Sequence, residues 1–235
     1  MPKGRAQAPP FFADPAAPPP VARAAREALR AWPTGTVRRL RILAAQHPEV
    51  ALIRLELGVA LAARGSSADA AAALRAAKRV QPDTPSAVRA DDALHPDTPP
   101  GKPPFVPSFA RPHSAVDRLL AQGIGFQTAL RPVSAERAFA RAARLAPRDD
   151  EAQVDAAVGL YDKDRPELAF SRLGPLVRRF AHSQSVRFHL GLLLIYVREL
   201  RQARVELRQA VALGRETRLG KRASILLSAA RSGSK

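Results

Sequence analysis

Five histidines, two clusters of carboxylates and one glycine pair are the residues of this sequence whose types could carry chemistry. His47, His95, His113, His182 and His189 include no pair at the spacing that sets two imidazoles on one helix face, so no histidine metal site is expected. His47 precedes a proline and His182 falls between helices, and both read as solvated. Cysteine is absent, which excludes disulfides, thiolate nucleophiles, Fe–S clusters and cysteine-bound zinc. Asp149, Asp150 and Glu151 stand where a helix should begin and suit the positive end of its dipole. Asp162 and Asp164 precede Pro166 in a turn, with too few oxygen ligands nearby for calcium. Gly123-Ile124-Gly125 is a fragment of a dinucleotide fingerprint, but it follows no strand and lies in an apolar helix, which makes it a close-packing feature. The expectation is a protein with no catalytic residue, no metal and no cofactor, and therefore not an enzyme.

Arginine is the other candidate. The chain carries a formal net charge of +17, and most of the excess lies in residues 1–50 and 184–235. Arg201, Arg204 and Arg208 share one helical face, and Arg215, Arg218, Lys221 and Arg222 follow. Such a basic face could contact phosphates or an acidic protein surface. Aromatics that would stack on bases are missing there. Only six of the 38 basic residues are lysine and alanine is abundant throughout, so a compositional bias placing arginine on solvated faces is the competing reading.

The elements that would hold any site follow from composition. Apolar residues are 46% of the 235 but aromatics only 5%, so the core must be built from Ala, Leu and Val, and a β-rich fold is not expected. Of the 22 prolines, 17 lie in residues 1–33 and 82–112, where they forbid long helices. Residues 1–17 read as a disordered tail. Residues 96–112 read as an extended connector with polyproline II preference. That stretch is either a spacer or a docking ligand for a proline-reading module, with Phe105 and Phe109 as anchors. The most apolar run, Phe188 to Val197, is half the roughly 20 residues a membrane span needs. No segment resembles the apolar region of a signal peptide, so a cytoplasmic protein is expected.

Outside the proline clusters the sequence repeats with a period of 34. Ala135, Ala169 and Ala203 superimpose, as do Phe139, Leu173 and Leu207, then Ala142, Leu176 and Ala210. Gly123, Ala157 and Gly191 align in the first half of the unit. The same template fits 51–84, with Leu57-Gly58 at the position of Leu190-Gly191, Gly65 in a turn, then Ala70, Leu74, Ala77 and a closing Pro82. Small residues on both helices let a hairpin cross closely, and the larger Leu or Phe fills the groove between them. One hairpin cannot bury both apolar faces, so neighbours must stack. Ser114 with Asp117 predicts a capped helix start, and Ser134 marks the start of the next helix.

These residues resemble the tetratricopeptide repeat family. The resemblance implies an all-α solenoid of stacked antiparallel hairpins. It covers residues 18–84 (one incomplete and one good repeat) and 116–217 (three repeats), with 218–235 as capping helix and tail. Residues 85–115 replace a repeat with a Pro-rich connector or degenerate hairpin, in which Pro85 to Leu94 forms one short helix. In that family the first helix of each unit lines a concave groove for a peptide or partner helix. Carried over, the groove here comprises Leu55, Val59, Leu120, Ile124, Gln127, Val154, Val158, Tyr161, Phe188, Leu192 and Ile195. The set is largely apolar and lacks the Lys, Asn and Arg residues by which some members clamp a terminal carboxylate. Two functions follow: a non-enzymatic scaffold that binds a protein or peptide partner, or a nucleic-acid-associated protein using its arginine-rich face.

Overall fold

Wherever proline is sparse the chain is helical. In the computed structural model, which describes residues 8–232, every regular element is an α-helix: α1 (Pro19–Leu29), α2 (Thr36–Gln46), α3 (Ala51–Ala63), α4 (Ser67–Val80), α5 (Pro85–Leu94), α6 (Ala115–Thr128), α7 (Pro132–Leu145), α8 (Asp150–Gly159), α9 (Glu167–Arg179), α10 (Gln184–Tyr196), α11 (Leu200–Leu213) and α12 (Arg218–Ser232). The helix starts have identifiable causes. Thr84, Ser114, Asp149 and Ser183 each accept a backbone N–H of the first turn, and Ser114 forms a full capping box with Asp117. Proline stands in the first turn of α1, α5 and α7, where its missing donor is harmless. That displaces the expected start at Ser134: α7 begins two residues earlier, at Pro132.

The 34-residue register is visible as packing. A Cβ on Gly58 would lie 2.7 Å from Leu74, one on Gly123 1.9 Å from Phe139, and one on Gly191 2.8 Å from Leu207. Each glycine meets the large residue sixteen positions on, across the hairpins α3–α4, α6–α7 and α10–α11. Seven residues after each glycine the chain turns through the left-handed region, at Gly65 (φ 80°), Leu130 (φ 55°) and Arg198 (φ 64°). The next amide then reaches back to the helix: Ser66 N–H to Leu61 O, Arg131 N–H to Phe126 O, Glu199 N–H to Leu194 O. In the α8–α9 hairpin Ala157 and Leu173 hold the two positions, both buried in one cluster, and the turn is longer, through Asp162 and Pro166.

The chain divides into two compact units, 1–101 and 102–235. The boundary falls inside the proline-rich stretch, so 85–115 is not a single connector. Helix α5 packs on α3 and α4 and belongs to the first unit, whereas 102–114 belongs to the second. The tail expected to be disordered is also partly placed. Residues 1–7 lie outside the described residues, but 8–17 pack on the first unit, with Asp14 and Ala17 buried. The reason is two phenylalanines: Phe11 packs against the α1–α3 cluster and Phe12 against Leu55, Leu74 and Ala77.

Candidate functional site

The proline-rich residues 102–109 form an extended strap across the first helices of the second unit. Pro103, Phe105 and Pro107 are buried while Pro104 and Ser108 are exposed, the alternation of an extended chain with one face inward. The Gln127 side chain on α6 clamps it on two sides: Oε1 accepts from Phe105 N–H at 3.0 Å, and Nε2 donates to Pro103 O at 3.3 Å. On α10, His189 Nε2 accepts from Val106 N–H at 3.0 Å. On α8, Glu151 Oε1 accepts from Ser108 N–H at 2.7 Å. Both ends are held as well. Lys102 Nζ donates to Tyr161 O at 2.6 Å, and Arg218 on α12 donates to Phe109 O at 2.8 Å. Four helices grip eight residues, largely through the strap's backbone.

Phe105 is the anchor. It is 3% exposed, its ring stacks on His189 at 4.7 Å between centroids, and it lies 6.0 Å from Phe139. An anchor so covered is not presented to a proline-reading module, which overturns that reading of the stretch. Leu120, Val154, Val158, Tyr161, Phe188 and Leu192 are buried in the same apolar cluster, and Ile124 and Ile195 pack against it half-buried. In the first unit, Leu55 is buried and Val59 half-buried, in a cluster that Phe12 joins. The eleven residues expected to line an open groove are therefore all covered in whole or part, and two of them hydrogen-bond the strap, Gln127 through its side chain and Tyr161 through its carbonyl.

Three buried ionisable residues that the sequence reading did not place on this face belong to it or to its counterpart in the first unit. Glu56, Asp155 and His189 occupy one register position, two before the small residue of each repeat; the remaining unit has Ala121 there. A polar residue recurring on an otherwise apolar face was the available signal. All three are fully buried. His189 Nδ1 lies 2.8 Å from Ser185 O, and Nε2 accepts the Val106 N–H, so the ring is the neutral Nδ1–H tautomer. Burial pushes it down to about 4, against the opposing pull of the Ser185 carbonyl. Glu56 plays the same part in the first unit, accepting Phe12 N–H at 2.7 Å; burial pushes it up to about 7. Asp155 differs, for neither carboxylate oxygen has a hydrogen-bond partner. Burial, with Glu151 adding repulsion, holds it well above the usual carboxylate range. Glu151 itself is pushed by burial up to about 7, with Asp150 and Asp149 contributing.

The first unit thus holds a matching segment. Pro9-Pro10-Phe11-Phe12 and Pro103-Pro104-Phe105-Val106 have the same Pro-Pro-Phe start, and in both the residue after it gives its N–H to the same register position. Arg26 lies over Phe11 at 4.5 Å and Arg89 over Phe12 at 5.1 Å, while Asp14 accepts from Ser86 N–H and Oγ–H. The basic face is placed separately: Arg201, Arg208, Arg215, Arg218 and Arg222 are exposed on or beside α11 and α12, and Arg204 is half-buried.

No family model and no curated protein matches the sequence. Among solved structures the chain is similar to one named "MamA RS-1 ArsTM double mutant", at 16% identity and a TM-score of 0.31, over 83% of this chain and 93% of that one. A likeness of that degree carries no argument about function. No helix among the described residues is long and apolar enough to cross a membrane.

Proposed function

We propose that this chain is a non-enzymatic, tetratricopeptide-like repeat protein that binds an extended segment of a partner protein on the face formed by α6, α8 and α10. One observation carries the reading: that face already holds an extended segment, through Gln127, Glu151 and His189. Contacts to strap backbone accept many sequences, while the Phe105 site supplies selection. His189 supports a binding rather than a catalytic role, because both ring nitrogens are engaged and the ring is neutral. Selection of displayed peptides on the full chain bearing Ser108→Pro tests it. Enriched peptides that lose binding on Gln127→Ala support the reading; a selection that enriches nothing counts against it.

The exposed arginines of α11 and α12 favour a second reading, contact with nucleic-acid phosphates. Affinity for a duplex or single strand should then fall steeply with salt. No binding at physiological salt removes it.

A further inference from the structure

The strap leaves one group on its site unserved. Between 103 and 108 it has three backbone N–H groups, on Phe105, Val106 and Ser108, and they go to Gln127, His189 and Glu151. Its remaining residues there are Pro103, Pro104 and Pro107, which carry no donor. Asp155 stands four residues after Glu151 on α8, hence on the same helix face as a residue that touches the strap. It also shares the register position whose occupants Glu56 and His189 each accept a strap N–H. Yet both of its oxygens are buried and unpartnered. Leaving a buried carboxyl without a donor is unfavourable, so 102–109 is an imperfect occupant. Two acids one turn apart on α8 can be served together by one cationic side chain.

We propose that residues 102–109 are a resident stand-in on this site, and that the true occupant is an extended partner segment with a proline-flanked phenylalanine and a basic residue that pairs with Asp155. This deepens the binding reading above and rests on it. The tethered strap competes at high local concentration, so the partner gains access by supplying the contact the strap cannot make. Nothing in the proposal requires the helices to move.

The probe is a labelled peptide, KPPFVPSFA, copied from residues 102–110 and titrated into the full chain by fluorescence anisotropy. Phe105→Ala removes the resident anchor, and Ser108→Pro removes the backbone and side-chain hydrogen bonds of an exposed residue to Glu151. The expected result is at least tenfold tighter binding to either variant than to wild type. Peptides with Arg in place of Pro103, Pro104 or Pro107 then test the unserved carboxyl. At least one should bind a further tenfold tighter, and that gain should vanish on Asp155→Ala. Equal affinity for wild type and variants would overturn the proposal, as would an Arg series with no gain. Peptide-reversible dimers of the Ser108→Pro chain would make the occupant a second copy and overturn the foreign partner. Failure of the strap peptide while library-selected peptides still bind sinks this inference alone; failure of both sinks the binding reading with it.

Discussion

His189 shows how much one buried ring can decide. Its neutral form both donates to Ser185 O and accepts from Val106 N–H; protonation would turn Nε2 into a donor facing a donor. A folded-state value near 4 against 6.5 in the open chain means the stabilisation is complete above 6.5 and is lost as pH falls through about 4. Relative to His189→Gln, the wild type should lose stability on the order of 3 kcal/mol between pH 7 and pH 4, measured by denaturant titration at each pH. Asp155 has the opposite sign. Its raised value favours folding only when it is protonated, so it weakens the fold as pH rises. Asp155→Ala should therefore raise the thermal midpoint at pH 8, by about 1–2 kcal/mol of stability, and raise it less at pH 4. A variant that is less stable than wild type at pH 8 would contradict the unpartnered carboxyl.

The hairpins make their own predictions, because their close crossings depend on single glycines. An added methyl at Gly123 would run into the Phe139 ring, which is 0% exposed and cannot swing aside. At Gly58 the contacts are looser, 2.7 Å to Leu74 Cγ and 3.2 Å to the Ala70 carbonyl oxygen. Gly123→Ala should cost about 3 kcal/mol, at the upper end for overpacking, and Gly58→Ala markedly less. Gly65 separates conformation from contact: nothing lies within 4 Å of its would-be Cβ, yet φ is 80°. Gly65→Ala should cost about 1 kcal/mol, all of it backbone strain, read from urea midpoints. This level was the most legible in the sequence. The spacing of Gly58, Gly123 and Gly191 from Leu74, Phe139 and Leu207 is a local property that recurs. The start of α7 was misplaced because Pro132 outcompetes Ser134 for the first turn.

At the scale of the whole chain, sequence pattern reads less well, because the decisive contacts are non-local. Proline density marks 8–17 and 102–109 as non-helical, but not as packed: that follows from Phe12 meeting Glu56 and from Val106 meeting His189 across 83 residues. The register position shared by Glu56, Asp155 and His189 was readable in principle, yet only the straps give it meaning. An apolar face that reads as an open groove is, in the folded chain, already occupied. The occupied face is the central claim, and it requires that the strap can leave while its helices stay folded. Native-state amide hydrogen exchange tests this most directly, by comparing the Phe105, Val106 and Ser108 amides with those of Leu192 and Leu193 in α10. The account predicts that the three strap amides exchange through a smaller opening free energy, by at least 2 kcal/mol, than the α10 pair. Exchange of both sets only through the same global unfolding would show the strap to be a fixed part of the core, and would contradict it.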